Sequence, residues 1–442
     1  MSHEHALDRT ARLISIDLFA GNATADQIID GLLRTTILVR ADAANLASPN
    51  GQTALCALFS QVAMMGIGID LDIPEVPMLI PQPPLRGALL KAALLDYGND
   101  LIPSLRCGTG LPHHDLSFVL GDTATEDHHA VLVTGTDWSC AIGPASQIPP
   151  SRWDGKWPVG ALAAAATAAP EALRAATRRI ASSSGHHLSD EFHHTPGCIA
   201  RIDLSDRAVT PAPINLGPVD IISGGAITYA TTYTLLRAPE LSARIRVIDP
   251  QTLELTNLNR YPLLRYSDLG QLKTTLLEQF SQGSLQILGV PETFDDSWPA
   301  SLGPLAPRVL IGADHIPARW QAQRAQPQWL QVSGTSHLFA ISSAHHPEGP
   351  CAGCAHPTDE PGNEPIPTIS FVTLWAGILQ AIDLLNEASG QLTSGQYTIC
   401  NPYGLSGTRP IISGTLAPVT YCPVQCSASQ RLSAAHAGRS QP

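Results

Sequence analysis

The sequence predicts an α/β protein of two Rossmann-like, doubly wound lobes. Three observations carry this. Both halves alternate apolar strand, turn and helix in the same order, and each half closes with a long apolar helix. The chain of 442 residues is 44% hydrophobic and only 14% charged, which describes a globular molecule able to bury a sizeable core. A prior of roughly 100–200 residues per domain allows two to four domains, and two is the working number.

In the first half, residues 35–39 read as a buried strand and a polar loop ends in Ser48-Pro49-Asn50-Gly51. A helix fits 52–65, and a strand at 69–73, stopped by Pro74, completes a parallel βαβ unit. Further strands fit 117–120 and 130–134, and an alanine-rich helix fits 160–180 with a kink or break at Pro170. Residues 182–218 carry SSSG, His186-His187, His193-His194 and TPAPINLGP, which reads as a connector. The expected division is 1–200, a linker at 201–218, and 219–442. The second half runs strand 219–222, glycine turn, helix 228–237, strand 245–249, strand 309–311 and long helix 371–386. The parallel between halves is either a degenerate tandem repeat or the default order of open α/β folds.

The net charge of −12 argues against a broad nucleic-acid surface. No apolar run reaches the roughly 18 residues of a membrane helix, and MSHEHALDRTARL has no signal-peptide core, so a cytoplasmic location is expected. Of nine cysteines, four form two close pairs, CAGC at 351–354 and CPVQC at 422–426. Cys351, Cys354, Cys422 and Cys426 thus offer four thiolates for one tetrahedral, structural zinc, with unpaired core cysteines as the alternative. Cys56, Cys107, Cys140, Cys198 and Cys400 read mostly as small apolar core residues, and the histidine doublets, His345-His346 among them, as solvated loop side chains.

Ser223-Gly224-Gly225-Ala226, between a strand and a helix, is where such a fold brings backbone N–H groups to a phosphate. Two glycines outside a GxGxxG spacing also describe an ordinary tight turn. Asp249 ends the next strand, where a carboxylate can bind a ribose hydroxyl or cap a turn. The stretch VIDPQTLELTNLNRYPLLRYSDLGQLK at 247–273 then resembles the pattern of the ThiF/MoeB and ubiquitin-activating enzyme family: an Asp, NLxRQ, then G-x-x-K. Tyr261 stands where that family has glutamine.

This resemblance implies a ThiF-type adenylation domain with ATP and Mg²⁺ as cofactors and the zinc set between two cysteine pairs flanking the last long helix. It puts Asp249 on the ribose, Asn257 and Arg260 toward the phosphates, Lys273 on the phosphates and Asp314 on magnesium, with Gly224 and Gly225 in the glycine loop. Arg319 also recurs in the family, with a surface helix charge as its plainer reading. Such chemistry, attack of a carboxylate on an α-phosphate, needs cations at the phosphoryl oxygens. The second cysteine pair departs in its CxxxC spacing. The loop 355–370, where many relatives carry a nucleophilic cysteine, has none. The reaction is therefore expected to stop at the acyl-adenylate, with a remote Cys400 or Cys198, or an ester on Thr368 or Ser370, as alternatives.

The first half lacks NLxR and G-x-x-K and reads as an inactive, adenylation-like copy. Family sites lie across a two-fold or pseudo-two-fold interface, so Arg9 or Arg12 would be an arginine reaching the nucleotide, or else a helix-surface charge. The implied subtype is a bacterial ubiquitin-like-protein activating enzyme. Its expected partner is a ubiquitin-like or sulfur-carrier β-grasp protein, with a conjugating enzyme, a defence-related pathway and homodimerisation also open. Neither nucleic acid nor membrane is expected. A sulfur-carrier adenylyltransferase of cofactor biosynthesis and a catalytically inactive scaffold are the alternatives.

Overall fold

The computed structural model describes residues 4–188, 199–209, 213–359, 366–391, 396–404 and 411–439; Cys198 and His193-His194 lie outside them. Two sheets organise the chain. The first contains β1 (Thr36–Arg40), β2 (Gly68–Asp72), β3 (Cys107–Gly108), β4 (Leu116–Leu120), β5 (Val131–Gly135), β6 (Ser139–Pro144) and β7 (Ala200–Asp203), in the order β3-β2-β1-β4-β5-β6-β7. The second contains β8 (Ile214–Ile222), β9 (Leu241–Ile248), β10 (Leu285–Val290), β11 (Arg308–Ile311), β12 (Trp329–Ser336), β13 (Phe339–His345), β14 (Gln396–Cys400) and β15 (Ile411–Thr415), in the order β10-β9-β8-β11-β12-β13-β14-β15.

The two orders coincide strand for strand over their first seven positions. In each sheet the first five strands are parallel and the remaining ones antiparallel. Both lobes are therefore doubly wound, as the sequence predicts, and they share one topology. In each, the order reverses beside the first strand, between β1 and β4 and between β8 and β11. That is the place where an open α/β sheet leaves a crevice at its strand C-termini.

The helices are α1 (Glu4–Phe19), α2 (Ala25–Arg34), α3 (Pro49–Met64), α4 (Leu90–Asn99), α5 (Val159–Ser184), α6 (Ala226–Leu235), α7 (Lys273–Glu278), α8 (Ile316–Arg324), α9 (Ala352–Ala355), α10 (Ser370–Ala388) and α11 (Ser427–Arg439). No helix among the described residues is long and apolar enough to cross a membrane. Helices α3, α5, α6 and α10 are buried almost throughout, because they are sandwiched between the lobes as well as against their own sheets. The Ser370 hydroxyl of α10 donates to the Gln61 carbonyl of α3 at 2.9 Å. Arg237, after α6, donates to the Gln82 side chain at 3.0 Å and the Pro83 carbonyl at 2.8 Å of the first lobe.

Three elements differ from expectation. Helix α5 runs through Pro170 from Val159 to Ser184 with no break. A proline removes one N–H, but here the turn is buried on every side, and packing outweighs the local penalty. Within the expected connector, residues 201–203 lie in β7, the edge of the first sheet, and β8 begins at Ile214. Strand β8 tolerates Pro218 because the register shifts between Asn215 and Gly217, whose φ of +63° makes a bulge. His345, expected as solvated, is a buried residue of β13; its imidazole contacts the Ser343 hydroxyl and the Pro350 carbonyl, each at 3.0 Å.

Helix α10 reaches α6 only because Gly377 has no side chain. A Cβ there would lie 2.4 Å from the Ala230 Cβ and 2.5 Å from its backbone carbon. Gly377→Ala is expected to destabilise the fold by about 1–3 kcal/mol, as overpacking does, and a denaturant titration measures it.

Candidate functional site

The crevice between β8 and β11 opens into a cleft of about 870 Å³. Its floor begins at the β8–α6 turn. Ser223 takes φ +83°, a left-handed conformation uncommon for a residue with a side chain. Gly224 then donates its N–H to Asp249 Oδ2 at 2.7 Å, and a Cβ on Gly224 would sit 3.2–3.3 Å from Asp249 and Lys273. Gly225, which lines the cleft, precedes α6 and makes no side-chain cap. The first N–H groups of α6 therefore lack a side-chain acceptor at the crevice, the arrangement that suits an anion.

Asp249 is buried at the end of β9, and its other oxygen accepts from the Gln251 N–H at 2.7 Å. Each carboxylate oxygen keeps a second lone pair, so Asp249 can hold the loop and still accept from a ligand hydroxyl. Asn257 lines the cleft from the turn at Leu255–Asn257, its side-chain oxygen accepting from the Glu254 N–H at 3.0 Å. Lys273 begins α7; its ammonium donates to the Gln251 side chain at 2.7 Å although the residue is buried.

Arg260 is also buried, and donates at 2.6 Å to the Thr256 carbonyl and to the Asn259 side chain. Burial foremost, with the Arg9 charge adding to it, pushes Arg260 down to about 10. Arg9 comes from α1 of the first lobe, which docks here through Asn259 Nδ2 donating to the Thr10 hydroxyl at 2.8 Å. Arg9, itself half-buried, thus shares one crevice with the buried Arg260 and Lys273, three cations able to meet a polyanion, with the carboxylates of Asp249, Glu254, Glu292 and Asp314 on the same lining. Tyr261, at the glutamine position of the resemblance, is buried with its ring 5.1 Å from Tyr229 and 5.8 Å from the Lys273 ammonium.

Asp314 follows β11 at the cleft rim, and its carboxylate is exposed. Thr368 lines the cleft beside Thr335 and Thr373, with Ile366 also on the lining. The structure thus brings Arg9, Gly225, Asp249, Asn257, Arg260, Lys273, Asp314 and Thr368 to one cleft. Arg12 lies outside it, and Gly224 stands just behind its wall. Ser370 points instead into the lobe interface. Cys400 lies in β14, fully buried, its thiol pushed well above the usual range by burial. Among the described residues no cysteine lines the cleft. Burial likewise pushes the Cys56, Cys107 and Cys140 thiols up to about 12, which leaves them poor nucleophiles. Phe294, with Trp298 edge-on at 5.4 Å, lines the cleft beyond β10 and had no sequence signal.

The equivalent crevice of the first lobe is filled by its own residues. A turn at Asn45–Ala47 puts the Asn45 side chain between strand ends, donating to Asp42 at 3.0 Å, Asp122 at 2.9 Å and Thr123 at 3.1 Å. A Cβ on Gly121 would be 1.8 Å from the Asn45 side-chain oxygen.

Cys351, Cys354, Cys422 and Cys426 bring their sulfurs within 4.8 Å of one another. The contacts are 3.9 Å for Cys351–Cys354, 3.3 Å for Cys351–Cys422 and 3.6 Å for Cys354–Cys426. Zinc–sulfur bonds of about 2.3 Å in a tetrahedron require edges of about 3.8 Å, so the cluster is compatible with zinc despite its CxxxC spacing.

No protein-family model matches the chain. A Sinorhizobium fredii protein, uncharacterized y4jF, is 26% identical over 254 residues, which cover 57% of this chain and 44% of that protein. The chain therefore spans less than half the length of that relative. Among solved structures, E. coli MccB with ATP matches at a TM-score of 0.39 and 18% identity, over 48% of this chain and 65% of that one. The microcin C7 biosynthetic enzyme MccB in complex with N-formylated MccA matches at 0.39 and 19%, over 48% and 67%. PaaA matches at 0.35 and 16%, over 45% and 64%.

Two outcomes follow from the site. The purified chain is expected to hold one zinc, and Cys354→Ser to lower both zinc content, read by atomic emission, and melting temperature. Burial pushes His345 down to about 4. Unfolded chain therefore takes up this proton first, and stability present at pH 7 is lost as pH falls from about 6.5 toward 4. The loss is about 3 kcal/mol from this group. Denaturant midpoints against pH, flatter in His345→Gln, measure it.

Proposed function

We propose that the second lobe binds MgATP and adenylates the C-terminal carboxylate of a small protein or peptide, with the first lobe an inactive copy that lends Arg9. The observation that carries this reading is the gathering of Arg9, Arg260 and Lys273 around an uncapped helix start, beside the buried carboxylate Asp249. A nucleotide laid across the strand ends puts its ribose at Asp249 and its phosphates at those cations.

In the reaction a carboxylate oxygen of the substrate attacks the α-phosphorus, the bond to the β-phosphate oxygen breaks, and a mixed anhydride and pyrophosphate result. Charge grows on the phosphoryl oxygens as this occurs. Arg260 meets it with a planar fork and Lys273 with a point charge, both held by hydrogen bonds before the reaction begins. Arg9 adds a third cation from outside the lobe. Asp314, an exposed oxygen ligand at the rim, fits Mg²⁺, which when bound neutralises the leaving pyrophosphate.

The substrate end of the cleft favours a protein tail over a small charged acid. Thr335, Ile366, Thr368 and Thr373 make an uncharged strip that suits an extended chain of small residues ending in a carboxylate. A ubiquitin-like protein is the substrate class that the sequence resemblance adds. With no cysteine on the described lining, and with Ser370 and Cys400 buried away from the cleft, the reading favoured is that the reaction ends at the acyl-adenylate, and Thr368 is the one candidate acceptor that the lining retains.

ATP–pyrophosphate exchange in the presence of candidate carrier proteins tests the proposal. Exchange is expected with one of them, reduced about 100-fold or more by Lys273→Ala and about 10–100-fold by Arg9→Ala, and retained by Arg12→Ala. Absence of exchange with every carrier, together with ATP binding indifferent to Lys273→Ala, would sink it.

A further inference from the structure

The four-thiol cluster and the cleft are joined by one short helix. Helix α8 has nine residues, too few to be stable by itself, and only Arg319, Ala322 and Gln323 of it are buried. Its anchors lead to the cysteine knuckle. The Gln323 side chain accepts from the Ala352 N–H at 3.1 Å, and Ala352 opens the turn between Cys351 and Cys354. Arg324 donates at 2.8 Å to the carbonyl of Pro423, next to Cys422. Trp320 donates its indole N–H at 2.8 Å to the carbonyl of His356, and Arg319 donates at 2.8 Å to the His356 imidazole Nε2.

Arg319, itself buried off the cleft, also holds a segment that lines it. Its Nε donates to the Ala313 carbonyl at 3.0 Å, the residue before Asp314, and Ala313, Asp314, His315 and Ala318 all line the crevice. A buried guanidinium therefore spans the gap between the turn that ends the CxxC pair and the peptide that carries the rim carboxylate. Its own position is fixed by His356, which accepts one of its hydrogens and, through a backbone carbonyl, one from Trp320.

We propose that His356 is a positioning residue through which the occupied four-cysteine site sets the place of Asp314 in the cleft. The functional half of this inference rests on the reading of Asp314 as the magnesium carboxylate. The mechanical half does not. Without the imidazole, Arg319 loses its fixed partner, α8 slackens, and Asp314 spends less time where it meets a magnesium-bound phosphate.

The test uses the full-length, zinc-loaded chain as wild type, His356→Ala and His356→Gln, the last keeping an acceptor oxygen for Arg319. Zinc per chain is read by native mass spectrometry, amide hydrogen exchange is read over residues 313–324 without nucleotide, and the Mg²⁺ dependence of ATP binding is read by calorimetry. His356→Ala is expected to keep one zinc, to exchange about 10-fold faster over 313–324, and to need about 5–10-fold more Mg²⁺ for half-maximal binding. His356→Gln is expected to recover most of both changes. Unchanged exchange over 313–324 in a zinc-loaded His356→Ala would overturn the proposal, and so would loss of zinc from that variant, which would put His356 in the knuckle's own integrity. Wild-type chain that binds no MgATP would remove the reading of Asp314, while the exchange comparison still decides the mechanical link.

Discussion

Parallel strands β8, β9 and β11 end at one edge of one sheet, and the connections leaving β8 and β11 depart to opposite sides. The peptide groups at that edge cannot all be satisfied by the sheet, so something else must meet them. Part of the demand is met by Asp249, whose two oxygens take the Gly224 and Gln251 N–H groups and so clamp the loop after β8 to the loop after β9. The rest is left at the start of α6, open to the cleft. Every other feature of the site depends on this clamp, since Lys273 reaches in beside Gly224 and is steadied by the same Gln251.

The same topology is resolved oppositely in the two lobes. In the first, the crevice is closed by Asn45 bonding to Asp42, Asp122 and Thr123, an arrangement that satisfies the strand ends internally. In the second, cations are brought in, one of them from the first lobe's α1. Burial and the Arg9 charge disfavour the charged form of Arg260, Asp314 and Glu254 offset part of that, and groups perturbed in this way cluster at sites that bind a ligand. Under the proposed function, the uneven use of two crevices of one topology divides the labour, one lobe as support and one as site.

Much of this was legible in the sequence because the carriers are local. A strand, a turn with glycines and a helix lie within about twenty residues, and the spacing of Asp249, Asn257, Arg260 and Lys273 is carried by one loop. The cysteine pairs were legible because metal ligation dictates residue type. What escaped depends on contacts distant in sequence. Pro170 breaks an exposed helix but not one buried on every side, and Pro218 ends a strand unless a bulge at Gly217 absorbs it. His345 reads as polar until its two hydrogen-bond partners are known. Arg9 was one of two candidates, and only the docking of α1 through Thr10 and Asn259 separates it from Arg12. The tie from the cysteine knuckle through His356 and Arg319 to Asp314 joins three segments with no shared pattern.

The central claim is that one crevice of the two takes the nucleotide. Binding stoichiometry of MgATP, with a photoreactive adenine analogue to locate it, tests this most directly. The account predicts one nucleotide per chain, with labelled peptides from around residues 222–227 and 292–294. Two nucleotides per chain, or labelling around residues 41–48 of the first lobe, would contradict it.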